Sequence, residues 1–136
     1  MRWTQKEPTY GDIIRVPFKF YHHYGIFIDS ENVVQFGLRD NSAVPVGEIK
    51  VIVTDIDTFC DGELIETGEC ETSEEKHDHR KPKDIVEAAL ARVGEDGYHI
   101  LHNNCEHFVY SCAFGKKKCF LDDIREKIRN KLKETE

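Results

Sequence analysis

No stretch of this sequence stays apolar for the roughly 18 residues that a membrane-crossing helix needs, so no transmembrane helix is expected. The opening "MRWTQKEPTYGD" has no apolar core of the kind a secretory signal carries. These two absences predict a cytoplasmic protein, or one that meets a membrane only peripherally. Excess positive charge is missing as well: 19 Lys and Arg against 26 Asp and Glu leave a net charge of −7. General nucleic-acid binding requires a basic surface that displaces counterions, so that class of function drops out. The five cysteines, Cys60, Cys70, Cys105, Cys112 and Cys119, contain no C-x-x-C pair. An odd count without an export signal reads as reduced thiols rather than a disulfide framework.

What is present suits a single folded domain. At 136 residues, 39% hydrophobic and 33% charged, the chain can bury one core and is short for two. Charge is uneven, with residues 55–78 strongly acidic and the stretch from Lys116 onward basic.

Along the chain, "DIIRVPFKF" (12–20) reads as a strand that Pro17 marks as an edge or a bulge. A second strand, "HYGIFID" (23–29), is followed by the turn "DSEN" and a third, "VVQFG" (33–37), which predicts a hairpin. "AVPVGEIKVIVTDI" offers one or two more, with Val51, Ile52 and Val53 as a buried run. Residues 57–81 are polar and acidic and read as a long loop with one short strand at 63–66. Pro82 can open a helix over 83–93, with Ile85, Val86, Ala89, Leu90 and Val93 at helical spacing and Gly94 as its C-cap. In "LHNNCEHFVYSC" (101–112), Cys105, Phe108, Val109 and Cys112 recur as i, i+3, i+4, i+7. That pattern predicts a helix capped by Asn103 or Asn104 and ended by Gly115. A last helix over about 120–133 carries Leu121, Ile124, Ile128 and Leu132 on one stripe.

The position of Cys105 has chemical meaning. The first N–H groups of a helix lack intrahelical partners and the dipole there favours negative charge. A thiolate at that end is stabilised, which draws its pKa from about 8.5 towards neutrality, and the same N–H groups can receive an oxyanion. Equally, Cys105 can be a small buried hydrophobe on the helix face. A thiol nucleophile needs a base, and there are seven histidines. His77 and His79 fall in the acidic loop, His99 and His102 in the lead-in to the helix, and His107 points about 200° away from Cys105. His22 and His23 open the second strand.

Taken in order, "GDIIRV", "HYGIFI" with "NVVQF", and "ARVGEDGYHILHNNCEHFV" resemble the lecithin–retinol acyltransferase (LRAT) domain proteins, which include the small phospholipase/acyltransferases related to H-Ras-like suppressors. The resemblance covers about residues 10–115. It implies an α+β fold in which an antiparallel sheet packs against helices, a circular permutation of the NlpC/P60 papain-like architecture. It implies a catalytic domain over 1–115, beyond which the residues themselves give a basic amphipathic helical segment over 116–136. It also implies cysteine-dependent acyl transfer or hydrolysis on lipid acyl esters, phospholipase A-like, through an acyl-thioester and without a cofactor or metal. Position by position, Cys105 matches the nucleophile and His23 the base. Many family members carry a second histidine twelve residues later, on the paired strand, where this sequence has Gln35. An amide oxygen can still hold an imidazole in one tautomer, as Cys-His-Asn triads do. The backbone of Cys105, with Asn104 and Tyr24, completes the expected substrate and oxyanion contacts.

Two other readings stay open: a thiol peptidase or amidase of NlpC/P60 type, and a non-catalytic interaction module. Cys60, Cys70, His77 and His79 are spaced C-x9-C-x6-H-x-H, which fits no compact zinc finger. Lys116, Lys117, Lys118 and the following helix offer a peripheral membrane contact, although the same apolar stripe can pack on the domain or on a second copy. Expected partners are thus a lipid acyl donor and acceptor.

Overall fold

The computed structural model describes residues 1–99, 104–115 and 131–133. Its framework is a six-stranded antiparallel sheet. In chain order the strands are β1 (Arg2–Thr4), β2 (Ile13–Phe18), β3 (Tyr21–Asp29), β4 (Asn32–Phe36), β5 (Val51–Thr54) and β6 (Glu66–Glu69). Across the sheet the order is β1-β6-β2-β3-β4-β5. The helices are α1 (Ile56–Cys60), α2 (Ser73–Asp78), α3 (Pro82–Ala91) and α4 (Cys105–Phe114). The fold is therefore α+β with an antiparallel sheet, as expected.

Alternation along the strands sorts side chains to two faces. One face carries Ile13, Tyr24, Ile26, Val34, Phe36 and Val51, which form the main core with Ile85, Val86 and Ala89 of α3 and Phe108, Val109 and Cys112 of α4. The other carries Ile14, Val16 and Val33, which close on Phe59 of α1 in a smaller cluster. The site residues lie along β3, the strand that both faces share.

Pro17 lies within β2, which has neighbours on both sides, and the β2–β3 register runs through it without a bulge. It is tolerated because β6 pairs only with Ile14 and Arg15, so the missing N–H falls past the end of that neighbour.

The stretch 57–81 differs from the expected loop. Asp55 caps α1 by accepting from the Thr58 N–H at 2.8 Å, and the helix ends at Asp61 in left-handed backbone. The strand in this stretch is β6, three residues later than 63–66, and it joins β1 to the sheet. Thr72 and Glu75 form a capping box that opens α2. His79 packs edge-on against Phe114 of α4, ring centroids 5.4 Å apart, instead of standing in solvent. The helix expected over 83–93 ends at Ala91, with Arg92 as its C-cap in place of Gly94. Beyond Ala89, Leu90 and Val93 are exposed rather than core. Lys116–Lys118 and most of the helix expected over 120–133 lie outside the described residues; residues 131–133 are helical.

Gly25 is a strand position where the packed core leaves no room for a side chain. A Cβ there would lie 2.7 Å from Phe59 Cε2 and 3.1 Å from Val33 Cγ1, and Phe59 is fully buried with nowhere to retreat. We predict that Gly25→Ala overpacks this cluster and costs about 1–3 kcal/mol, read as a lower urea midpoint with an unchanged m value. An unchanged midpoint would show that Phe59 is free to move.

Candidate active site

The hairpin of β3 and β4 sets Gly25 directly opposite Gln35. His23 is two residues before Gly25 on the same face, hence a diagonal neighbour of Gln35, at a separation that two long side chains can bridge. They do so: Nε2 of His23 and Oε1 of Gln35 are 2.7 Å apart, and both residues are buried. The Phe59 ring occupies the space over Gly25 and lies against the imidazole, centroids 5.2 Å apart at 34°. Burial lowers the His23 pKa to about 4, with the positive charge of Arg39 adding to the shift and the Gln35 bond opposing it. At neutral pH the ring is uncharged.

Arg39 is held close by three partners. Its Nε donates to the carbonyl of Pro17 at 2.8 Å, and its terminal nitrogens pair with Asp61 at 3.2 Å and Glu63 at 3.1 Å. It ties the chain after β4 to the end of β2 and to the segment between α1 and β6.

Cys105 is the first residue of α4. Its N-cap is Asn104, whose side-chain oxygen accepts from the His107 N–H at 3.0 Å while the Asn104 N–H donates to His107 Nδ1 at 3.3 Å. His107, on a different face of the helix from Cys105, is thus a buried member of a reciprocal cap. The Cys105 thiol lies against the backbone of β3 on either side of His23. It donates to the carbonyl of His22 at 3.9 Å and accepts from the Tyr24 N–H. The N–H groups of Cys105 and Glu106 also point at the sulfur.

These donors do not make the resting sulfur a thiolate. Burial pushes the Cys105 thiol up to about 12, and the neighbouring Glu106 carboxylate adds to the rise; the three N–H groups only partly offset them. The expectation of a near-neutral pKa is thereby corrected. The helix end supplies donors, but loss of water outweighs them.

The structure therefore joins His23 to Gln35 and sets Cys105 against the strand that carries His23. No hydrogen bond joins the thiol to the His23 ring. Tyr24 reaches the sulfur through its N–H; its phenol is turned away, edge-on to Trp3 at 5.7 Å and hydrogen-bonded to Arg15, and burial raises its pKa. The Asn104 carbonyl oxygen is engaged in the cap. Of the suggested zinc ligands, Cys60 is part of the Phe59 cluster and the Cys70 thiol contacts the Glu75 carbonyl at 3.8 Å. Sequence reasoning missed Phe59 and Arg39. The first sat in a stretch read as polar, and the second bears no motif.

A buried histidine with a lowered pKa couples folding to acid. The unfolded chain binds this proton near pH 6.5 and the folded chain only near 4, so stability rises with pH across that window and is lost as pH falls through it. The full loss is about 3 kcal/mol. Urea unfolding between pH 7 and 4 should show a steeper loss for the wild type than for His23→Gln; equal slopes would mean that His23 takes up its proton without unfolding.

Compared with known families, the model described as lecithin retinol acyltransferase matches residues 6–118, which is more than half of the chain. No curated protein matches the chain.

Proposed function

The chain belongs to the lecithin retinol acyltransferase family, and from that premise we propose that it is a thiol enzyme that moves acyl groups from lipid esters. Cys105 is the nucleophile, His23 the general base and Gln35 the residue that orients His23. The single observation that carries this reading is the buried 2.7 Å contact between His23 Nε2 and Gln35 Oε1. It leaves Nδ1 as the nitrogen that can take a proton, on the strand whose backbone cradles the thiol.

The chemistry follows. The Cys105 S–H passes its proton to His23 Nδ1 as sulfur bonds to the ester carbonyl carbon. Because the resting thiol and imidazole are both neutral, proton transfer and attack proceed together instead of starting from an ion pair. The carbonyl oxygen becomes an oxyanion and is received by the N–H of Cys105 at the start of α4. Collapse breaks the ester C–O bond, and His23 returns the proton to the leaving alkoxide. Water, an alcohol or an amine then attacks the acyl-thioester while His23 accepts its proton. The acyl product leaves and the thiol is restored. The missing thiol–imidazole hydrogen bond is compatible with this role, since such contacts commonly tighten only around substrate. No step calls for a cofactor.

Two features support a lipid as acyl donor. The family's description names lecithin, a phospholipid, and retinol, an alcohol. The turn between β2 and β3, beside the site, presents Phe20 at 94% exposure with its ring edge-on to Tyr21, next to Lys19. Aromatic rings beside a cation suit the boundary between lipid and water. Lys116–Lys118 and the apolar stripe that follows them in the sequence would add a second peripheral contact. The order of base before nucleophile fits the permuted NlpC/P60 architecture.

Incubation with phosphatidylcholine carrying labelled acyl chains, followed by intact-mass measurement, tests the reading. One acyl adduct is expected on the wild type and none on Cys105→Ser, with at least a 10²-fold loss of lipid turnover in that variant. Turnover that survives in Cys105→Ser, or no adduct and no turnover in the wild type, would overturn it.

A further inference from the structure

An amide can orient a histidine only if its two ends are told apart. The oxygen must face the ring if the ring is to present a bare nitrogen elsewhere, and a flipped amide would present N–H instead. In this protein the distinction is made one strand further out. Gln35 Nε2 donates to Thr54 Oγ1 at 2.7 Å, and the Thr54 hydroxyl spends its only proton on the carbonyl of Asp55 at 3.0 Å. That carbonyl also accepts the Phe59 N–H at 3.2 Å, as the N-cap carbonyl of α1. The direction of donation is therefore fixed along the whole row. Thr54 gives to Asp55 and can only accept from Gln35; Gln35 gives to Thr54 and can only accept from His23. His23 must then carry its proton on Nε2, and Nδ1 is left with a lone pair.

We propose that Thr54 is a positioning residue that sets the tautomer of His23 through Gln35. It touches neither substrate nor the reacting atoms. It acts because it stands where β5 passes into α1, so the backbone that caps the helix also sets the sense of the relay. This rests on the reading of His23 as general base, but the tautomer can be measured without any turnover.

The test uses full-length protein labelled with ¹⁵N-histidine, with the His23 resonances assigned by their loss in His23→Asn. The wild type should show a pyrrole-like Nε2 and a pyridine-like Nδ1 at neutral pH. Thr54→Val keeps the shape but removes the acceptor, so the amide can turn over. Its His23 shifts should move towards a mixture of tautomers, and kcat with phosphatidylcholine should fall roughly three- to tenfold with little change in KM. Thr54→Ser, which keeps the hydroxyl, should restore both. A Thr54→Val protein with the wild-type tautomer would overturn the proposal. A tautomer shift in Thr54→Val together with no acyl-enzyme in any variant would uphold the relay and refute the catalytic reading of His23.

Discussion

The contact between His23 and Gln35 is covered as it is because Gly25 has no side chain. Gly25 sits opposite Gln35 and next in line to His23, and any Cβ there would collide with Phe59. The empty position lets an aromatic ring settle over the strand, and that ring in turn seals the imidazole from water. The ring's neutrality and the burial of Gln35 therefore depend on one glycine and on the short helix α1 that delivers Phe59. The acidic segment, the hairpin and the candidate base form one packing unit.

Burial also decides the contest of charges around Cys105. The helix N-terminus, the Tyr24 N–H and the first N–H groups of α4 all favour a thiolate. Against them stand a fully enclosed sulfur and a nearby carboxylate, and the sulfur ends well above its ordinary range. The donors are not wasted on that account. In the proposed acyl transfer an oxyanion would place charge where a resting thiolate does not, and preorganised N–H groups stabilise charge at the moment it develops.

Much of this arrangement can be read from the sequence, and the limits have physical causes. The β2–β4 strands, α3 and α4 announce themselves because their apolar residues repeat at periods of 2 or 3.6 over five residues or more. Cys105 at a helix start and His23 at the head of a strand follow from the same patterns, joined by the family signature. The segment 57–81 carries no such repeat. Its elements are four to six residues long, too short for periodicity, and they are held by single buried groups such as Phe59 and Thr67 and by local caps. The capping box of α2 is written as T-x-x-E in "TSEE", but the surrounding charge reads as solvation and masks it. Burial of Cys105 against β3 is a tertiary fact that a helix-end argument does not contain, hence the wrong sign for its pKa.

An imidazole or a carboxylate at position 35 would bring its own proton equilibrium next to His23. An amide brings none, so the ring's charge is governed chiefly by burial, with the Gln35 bond and Arg39 as smaller influences of opposite sign. The amide has a different weakness. Both its ends form hydrogen bonds of similar length, and nothing in its own chemistry prefers oxygen towards the ring. A neutral orienting group thus transfers the burden of specificity to its other neighbour. Thr54, with its hydroxyl proton committed to a helix-capping carbonyl, is the residue that bears it. A departure from the family's histidine at one position is in this way balanced by a hydroxyl on the adjacent strand, and the two belong together as one device.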